Sequence, residues 1–318
     1  MNIAARARAV LLGLALLPGP GSAQDDAESW LMRLNDASKQ QSFDGTFVYR
    51  NGDWMESMRI LQRVSDRGTR ARLVALSGEA REVLRDDNRV TCILPDSGAV
   101  LVSKKRPGVV SYSVFSPSRE FGAHYALALS EGERVAGRAT RLLSVSPRDE
   151  FRYGYRLYLD ESTGLALRSE LIAPGGQALE QIAFTSIRLP AEIPDELLEP
   201  SLQGQGFTWY TTDPPEQPGQ ASSFSVGWLP PGFEMADRQT DPAAAGRMPV
   251  EHLVYTDGLT TISVFIEDLK PGAEALDGPS SMGAMNAYGR MLETFQVTVV
   301  GEVPGLTVEN VARSVTRR

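Results

Sequence analysis

The chain has 318 residues, of which 42% are hydrophobic and 23% charged; this composition is typical of a folded globular protein, and the length predicts two domains. Its formal net charge of −8 argues against broad binding to nucleic acid, which requires a basic surface. One cysteine and two histidines exclude an intrachain disulfide and multi-cysteine metal sites, and they leave few groups for general-base chemistry at neutral pH.

Residues 1–23 are predicted to be a secretory signal peptide. Arg6 and Arg8 form its positive region, Ala9–Leu17 is its apolar core, and small residues ending at Ala23 provide a cleavage site. The apolar core is far shorter than the roughly 20 residues that a membrane-spanning helix needs. Because the two arginines are not adjacent, a Sec-type signal and a bacterial periplasmic location are predicted.

Residues 24–200 are predicted to form the larger domain. Apolar residues near a 3.6-residue period indicate a helix over Ala27–Gln41. Short strand-like runs follow, separated by turn sequences such as Asn51-Gly52, and this order favours an antiparallel meander. The runs cover residues 46–50, 57–64, 69–76, 89–94 and 99–103.

A second, short helix is predicted around Glu120–Leu129, after which the strands resume. The clearest strand signal is 153–159, and a turn over 160–164 leads into the next apolar face. Strict alternation in this run places four apolar or aromatic side chains on one face of a sheet, namely Tyr153, Tyr155, Leu157 and Leu159.

Residues 201–221 are predicted to be a linker because they are rich in proline, glycine and glutamine. Three aromatic residues, Phe207, Trp209 and Tyr210, are unusual in a free linker. Leaving three aromatic rings in water would expose much apolar area, so part of the connector is expected to dock on a domain.

Residues 222–318 are predicted to form a smaller α+β domain. The turn sequence Thr256–Leu259 between two strand-like runs is a strong hairpin signal. A further strand pair is predicted over 284–291 and 295–300. A terminal helix is predicted over Thr307–Val315, with Thr307 as its N-cap.

Catalytic motifs are absent from the sequence: it contains no Walker A loop, dinucleotide-binding glycine fingerprint, Gly-x-Ser-x-Gly elbow or His-Glu-x-x-His pair. His124 and His252 are interpreted as structural or surface residues, and the acidic pair at positions 86 and 87 as part of a solvated turn. Cys92 is interpreted as a half-buried structural thiol, with a reactive thiol left open. We therefore predict no catalytic residue, cofactor or metal.

Binding surfaces remain as the source of function. One apolar face of the predicted sheet either packs as a core or forms a groove that accommodates lipid. The basic stretch Lys104-Lys105-Arg106 is either a solvated loop or a contact for an acidic peptide or a lipid phosphate. The lipid-groove candidates are Phe47, Tyr49, Tyr153, Tyr155, Leu157, Leu165 and Leu167.

Five segments, in this order, carry a resemblance to a known family. The segments follow the secretory signal and cover nearly the whole mature chain. Together they resemble the RseB/MucB family. Members of this family are periplasmic negative regulators of the envelope-stress sigma factor, which is sigma-E, or AlgU in alginate-producing bacteria. The segments are Phe43–Tyr49, Tyr155–Leu165, Phe224–Phe233, Leu253–Leu259 and Val297–Pro304.

The resemblance implies an α+β fold: a large LolA/LolB-like domain, with an open, curved antiparallel sheet (a half-barrel) covered by helices, and a smaller C-terminal α+β domain. It also implies binding to the periplasmic region of a membrane anti-sigma factor (RseA/MucA-like). That binding shields the anti-sigma factor from the site-1 protease, and lipid or lipopolysaccharide signals such as lipid A relieve the shielding. No compact motif of the family assigns the anti-sigma contact to particular residues.

Two other functions stay open at this point: a periplasmic carrier of lipids or lipoproteins, and a lipid hydrolase. A carrier needs only the first domain, so residues 222–318 would be superfluous. Homo-oligomerisation is also left open. Because the connector joins two domains, we expect partner release to involve a change in their relative orientation.

Overall fold

The computed structural model describes residues 20–86, 89–104, 121–201, 206–211, 223–241, 250–269 and 274–318. Most of the predicted signal peptide, together with Lys105 and Arg106, lies outside the described residues. Within the described ranges, no helix is long and apolar enough to cross a lipid bilayer.

The N-terminal unit is built on one large, curved, 12-stranded sheet. Three α-helices occur in the described chain: α1 (Pro20–Gln40), α2 (Phe121–His124) and α3 (Gly305–Ser314). The strands of the large sheet are β1 (Phe43–Asn51), β2 (Trp54–Ser65), β3 (Gly68–Ala75), β4 (Glu82–Asp86), β5 (Arg89–Leu94), β6 (Ala99–Lys104), β7 (Tyr125–Glu131), β8 (Thr140–Pro147), β9 (Gly154–Asp160), β10 (Ala166–Ile172), β11 (Ala178–Arg188) and β12 (Thr208–Thr211).

The strand order β12-β6-β5-β4-β3-β2-β1-β11-β10-β9-β8-β7 contains two antiparallel meanders that join where β1 pairs with β11. The predicted meander is confirmed, and β4 is an additional strand that the sequence patterns missed. The helix predicted over Glu120–Leu129 is largely wrong, because only α2 is helical and β7 begins at Tyr125. Tyr125 and Leu127 are both buried, so a period of two governs this segment.

Helix α1 covers the concave face of the large sheet. Ala27, Leu31 and Leu34 recur at helical spacing, and they are buried against Leu143 and Leu157 of the sheet. The predicted helical segment is confirmed, and within the described residues the helix also includes residues 20–26.

The C-terminal unit is a six-stranded antiparallel sheet with the order β14-β15-β16-β19-β18-β17, against which α3 packs. A short pair, β13 and β20, lies beside it. The strands are β13 (Phe224–Val226), β14 (Glu234–Asp241), β15 (Val250–Thr256), β16 (Thr261–Asp268), β17 (Gly278–Met282), β18 (Met285–Leu292), β19 (Phe295–Gly301) and β20 (Val315–Arg317).

The hairpin predicted around Thr256–Leu259 is confirmed as the β15–β16 pair, and the later strand pair is confirmed as β18–β19. The predicted cap of α3 is wrong. The helix begins at Gly305 after Pro304, and Thr307 is fully buried inside its first turn. Its hydroxyl donates a hydrogen bond of 2.8 Å to the carbonyl of Phe151 in the other unit, so tertiary contact and not capping explains this threonine.

Candidate functional site

An apolar groove lies between the C-terminal half of α1 and the concave face of β1 to β5. Its cavity volume of ≈ 70 Å³ is below the roughly 150 Å³ that holds one benzene molecule. An acyl chain therefore enters only if α1 and the sheet move apart. The lining comprises Leu34, Ser38, Phe43, Ile60, Gln62, Ala71, Leu73, Val83, Arg85, Val90, Leu165, Ala166 and Phe184.

Arg85 is the charged residue of this groove lining. Its Nε atom is buried and has no hydrogen-bond partner in the described structure. A buried donor without a partner costs free energy, and an anionic group placed in the groove would satisfy it.

The structure separates the predicted groove candidates. Leu165 lines the groove, whereas Phe47 and Leu167 are fully buried in the packed core beneath it. Leu157 packs under α1, and Tyr49 is a half-buried residue at the edge of the core. The other two candidates, Tyr153 and Tyr155, lie near the C-terminal unit.

The connector docks through its backbone. β12 pairs in parallel with β6, and the Thr208 amide donates to the Gly98 carbonyl at 2.8 Å. Part of the connector therefore docks on a domain, as predicted, although the Trp209 and Tyr210 side chains remain 61% and 52% exposed. Lys104 closes β6, and the role of the basic stretch that it begins stays a prediction.

The remaining sequence candidates have structural surroundings. His252 stacks on Phe265 and contacts the Ser263 hydroxyl at 3.0 Å. Burial raises the pKa of the Cys92 thiol, which disfavours the reactive thiolate. Among the described residues, no group of three or more His, Cys, Asp or Glu side chains could hold a metal ion.

The junction between the two units centres on a buried ion pair that the sequence patterns did not reveal. The guanidinium of Arg152, a residue of the β8–β9 loop, donates to Asp257 Oδ2 at 2.7 Å and to the Pro231 carbonyl at 2.6 Å. The two side chains are 0% and 1% exposed. Tyr125 donates to the same Asp257 oxygen at 2.7 Å, so both units contribute to one desolvated polar network.

Asp257 is held rigidly for this role. Its other carboxylate oxygen accepts hydrogen bonds from the amides of Leu259 and Thr260, each at 3.0 Å. Arg152 is fixed from its own side by Asp149, whose carboxylate lies 2.9 Å away. The buried pair therefore has hydrogen bonds on both sides and links the two units directly.

Further contacts, from the same loop and from α2, extend the junction. Tyr153 accepts a hydrogen bond of 3.0 Å from Asn286, and the Phe151 ring packs edge-on against Trp228 with 5.1 Å between ring centroids. His124 packs so tightly on Gly232 that a Cβ added there would lie 2.4 Å from its Cδ2 atom. The junction is therefore both polar and closely packed.

A largely buried acid lies at the rim of the junction. Glu302 of the C-terminal unit faces Tyr155 and Glu180 of the N-terminal unit, and the Tyr155 hydroxyl is 3.5 Å from its carboxylate. Burial, reinforced by the negative charge of Glu180, raises the pKa of Glu302 to about 7. Near neutral pH this carboxyl group changes charge at the seam between the units.

Taken together, the fold and these surfaces define a two-unit binding protein: a curved sheet with an apolar groove, joined through a desolvated polar junction to a smaller α+β unit. The family model of the MucB/RseB N-terminal domain matches residues 26–202, and that of the MucB/RseB C-terminal domain matches residues 218–316. The chain belongs to the MucB/RseB family.

Relatives match along nearly the whole chain. The sigma factor AlgU regulatory protein MucB of Pseudomonas aeruginosa is 38% identical over 312 residues, covering 96% of this chain and 95% of the relative. The sigma-E factor regulatory protein RseB of Escherichia coli K12 is 23% identical over 328 residues, covering 97% and 96%. A solved structure of the Pseudomonas aeruginosa MucA/MucB complex matches with a TM-score of 0.73 and 35% identity, covering 92% of this chain and 99% of that chain.

Sequence reasoning missed Arg152, Asp257 and Glu302 as functional candidates. Asp257 was interpreted only as a hairpin turn residue, and the loop that carries Arg152 lacked any periodic signal. The available hint was the turn Asp257-Gly258 itself, since turn carboxylates accept local backbone hydrogen bonds. Nothing local in the sequence indicates that a distant arginine completes the site.

Proposed function

We propose that this chain is a periplasmic regulatory protein, not an enzyme, that binds the periplasmic region of a transmembrane anti-sigma factor of the RseA/MucA type. By covering that region, it shields the anti-sigma factor from site-1 protease cleavage and keeps the envelope-stress sigma factor inactive. The observation that carries the proposal is the similarity, at a TM-score of 0.73, to MucB in a complex with MucA.

The physical requirements of shielding agree with the structure. A shield needs an extended complementary surface and no catalytic group. A protein that competes with a protease lowers the concentration of free substrate by the factor 1 + [L]/Kd, where [L] is the free concentration of the shield. The two units, held by one polar junction, provide such a surface and also a way to change it.

The test is a protection assay with the purified periplasmic region of the anti-sigma factor from the same organism. We expect this chain to slow site-1 cleavage in proportion to the fraction of substrate bound, measured independently by calorimetry. Serum albumin at equal concentration serves as the control. Equal cleavage rates with and without this chain, under conditions where binding is saturated, would contradict the proposal.

We further propose that an anionic amphiphile relieves shielding by entering the groove under α1. Support comes from the apolar lining and from the buried, unpartnered Nε of Arg85, which together suit an acyl chain with a phosphate or carboxylate. Because the groove is too narrow for a chain in the present arrangement, a ligand that occupies it favours a different conformation.

A pair of matched ligands tests this part. We expect dodecyl phosphate to bind more tightly than dodecanol, and Arg85→Met to reduce that difference at least ~10-fold, the effect expected from losing a charge-assisted hydrogen bond. Ala71→Phe, which fills the groove, should weaken both ligands. Val74→Phe on the opposite face of β3 is the control. Equal affinities of the Ala71→Phe variant and the original chain would place the lipid elsewhere.

The proposed domains are residues 24–200 and 222–318 with the connector 201–221. The end of the first domain is supported by arginines of the large sheet, because Arg63 and Arg70 bind Asp195 and the buried Glu82 accepts a hydrogen bond from the Ser201 amide. These contacts anchor the chain at the start of the connector.

A further inference from the structure

Two hairpin turns, one from each unit, touch at the rim of the junction. The first is the β1–β2 turn, Asn51–Met55, and the second is the β17–β18 turn, Met282–Met285. Gly283 lies directly against the Asn51 side chain, since a Cβ added to Gly283 would be 2.1 Å from Asn51 Oδ1. We call these two turns the tip pair.

The tip pair exposes an apolar surface. Trp54 is 49% exposed, Met55 65%, Met282 78% and Met285 39%. The Trp54 ring packs edge-on against Tyr49, with 5.6 Å between centroids, so it is held in place. Scattered apolar side chains are ordinary on a protein surface, whereas several on two touching turns indicate a binding surface. Methionine adapts its shape to a partner more readily than branched residues.

Negative charge borders this surface. Asp53 is exposed on the first turn. Glu180 lies beside it, pairing across the sheet with Asn51 and accepting a hydrogen bond of 3.1 Å from the Asn51 amide group. Glu302 adds a third carboxyl group near Glu180. On this side of the turn, Arg50 supplies one opposing positive charge, and it contacts the Gly52 carbonyl at 3.5 Å.

We propose that the tip pair is a docking surface for an amphipathic, basic segment of the anti-sigma factor. Apolar side chains of that segment lie against Trp54, Met55 and Met282, and a lysine or arginine lies beside Asp53 and Glu180. The charge balance of the surface selects this occupant over an acidic one. This assignment rests on the proposed function and names the part of the surface that performs it.

The surface is complete only when both units hold their present arrangement, because each unit supplies one turn. A ligand that changes the relative orientation of the units separates Trp54 from Met282 and removes part of the docking surface. Partner binding and unit arrangement are thereby coupled, and this coupling gives release a structural route without direct competition.

Binding measurements with the purified periplasmic region of the anti-sigma factor test the proposal. We expect Trp54→Ser combined with Met282→Ser to weaken binding ~30-fold or more, as the loss of an interface hot spot does. The matched control is Met235→Ser combined with Met32→Ser, at positions that are 55% and 61% exposed away from the tip pair. Unchanged thermal unfolding verifies that both double variants fold.

Charge reversal provides the second arm. Asp53→Lys combined with Glu180→Lys should weaken binding and reduce its dependence on salt, because favourable pairs are lost. Absence of binding by the original chain would contradict the proposed function itself. If the original chain binds and both tip-pair double variants bind equally strongly, the docking surface alone is overturned. Variants that instead abolish a dimer or binding to phosphatidylglycerol vesicles, with partner affinity intact, would also overturn it.

Discussion

Replacing Arg152 with alanine is expected to destabilise the folded chain by about 3–5 kcal/mol, the cost of leaving one partner of a buried ion pair uncompensated. In the folded chain the Asp257 side chain is 1% exposed, and the substitution removes its charged partner. Because the lost contact spans the two units, the penalty is relieved most directly when they move apart and water reaches Asp257. The variant should therefore populate a more open arrangement.

Denaturant unfolding, small-angle scattering and amide hydrogen exchange at Tyr125 and Thr260 together measure this effect. Arg313→Ala is the matched control, since Arg313 is 61% exposed and its pair with Glu309 lies at the surface of α3, away from the junction. Adding Asp257→Asn to Arg152→Ala should recover part of the loss, because it removes the orphaned charge. An Arg152→Ala variant as stable and as closed as Arg313→Ala would refute the role of the junction.

Opening of the junction also has a functional consequence. If the tip pair binds the anti-sigma factor, Arg152→Ala should weaken that binding although Arg152 lies outside the proposed docking surface. The substitution should act mainly by changing the relative arrangement of the two units. A crosslink between the two turns of the tip pair should therefore restore the affinity for the anti-sigma factor. A crosslinked Arg152→Ala chain that still binds weakly would separate the junction from partner recognition.

Glu302→Gln is expected to remove a pH dependence of stability centred near neutrality. Burial and the charge of Glu180 raise the pKa of Glu302 from 4.5 to about 7 in the folded chain, so the folded state favours the protonated carboxyl group. The stabilisation that this proton provides is fully present below pH 4.5 and is lost as the pH rises through about 7. The pKa difference corresponds to about 3 kcal/mol at alkaline pH.

Unfolding at pH 5 and pH 8 distinguishes the variants. Glu302→Gln should match the original chain at the lower pH and exceed it in stability at the higher pH, since a neutral amide has no charge to desolvate. Glu293→Gln is the control, because Glu293 is 56% exposed and pairs with Arg317 at the surface. A pH dependence that survives Glu302→Gln would assign the effect to another group.

Local sequence patterns predicted the strands well where neighbouring residues alone determine the structure. Alternating residues and glycine-containing turns located the hairpins around Asn51 and Asp257, since a hairpin depends on a few neighbouring residues. The segment at Tyr125 failed because its small and apolar residues fit both periods, and only packing under α1 decides between them. Thr307 failed because its hydroxyl bonds to Phe151, far away in the sequence.

The groove candidates show the same limit. An alternating pattern predicts that the apolar face of the sheet is covered by another part of the protein or by a ligand. Which residues α1 covers depends on the path of the helix across the sheet. Phe47 and Leu167 are therefore core residues while Leu165 borders a groove, although all three carry the same sequence signal. The core interpretation fits Phe47 and Leu167, whereas a lipid-binding role for the groove stays a prediction.

By itself, the sequence determined the antiparallel meanders, the smaller α+β unit and the family to which the chain belongs. These follow from composition, from periods of two and 3.6 residues, and from the order of short segments. Only the tertiary structure decided the junction, the position of Arg85 in the groove and the tip pair. Each of these joins residues far apart in the chain, such as Arg152 with Asp257 and Asn51 with Gly283, whose meeting depends on how complete sheets pack together.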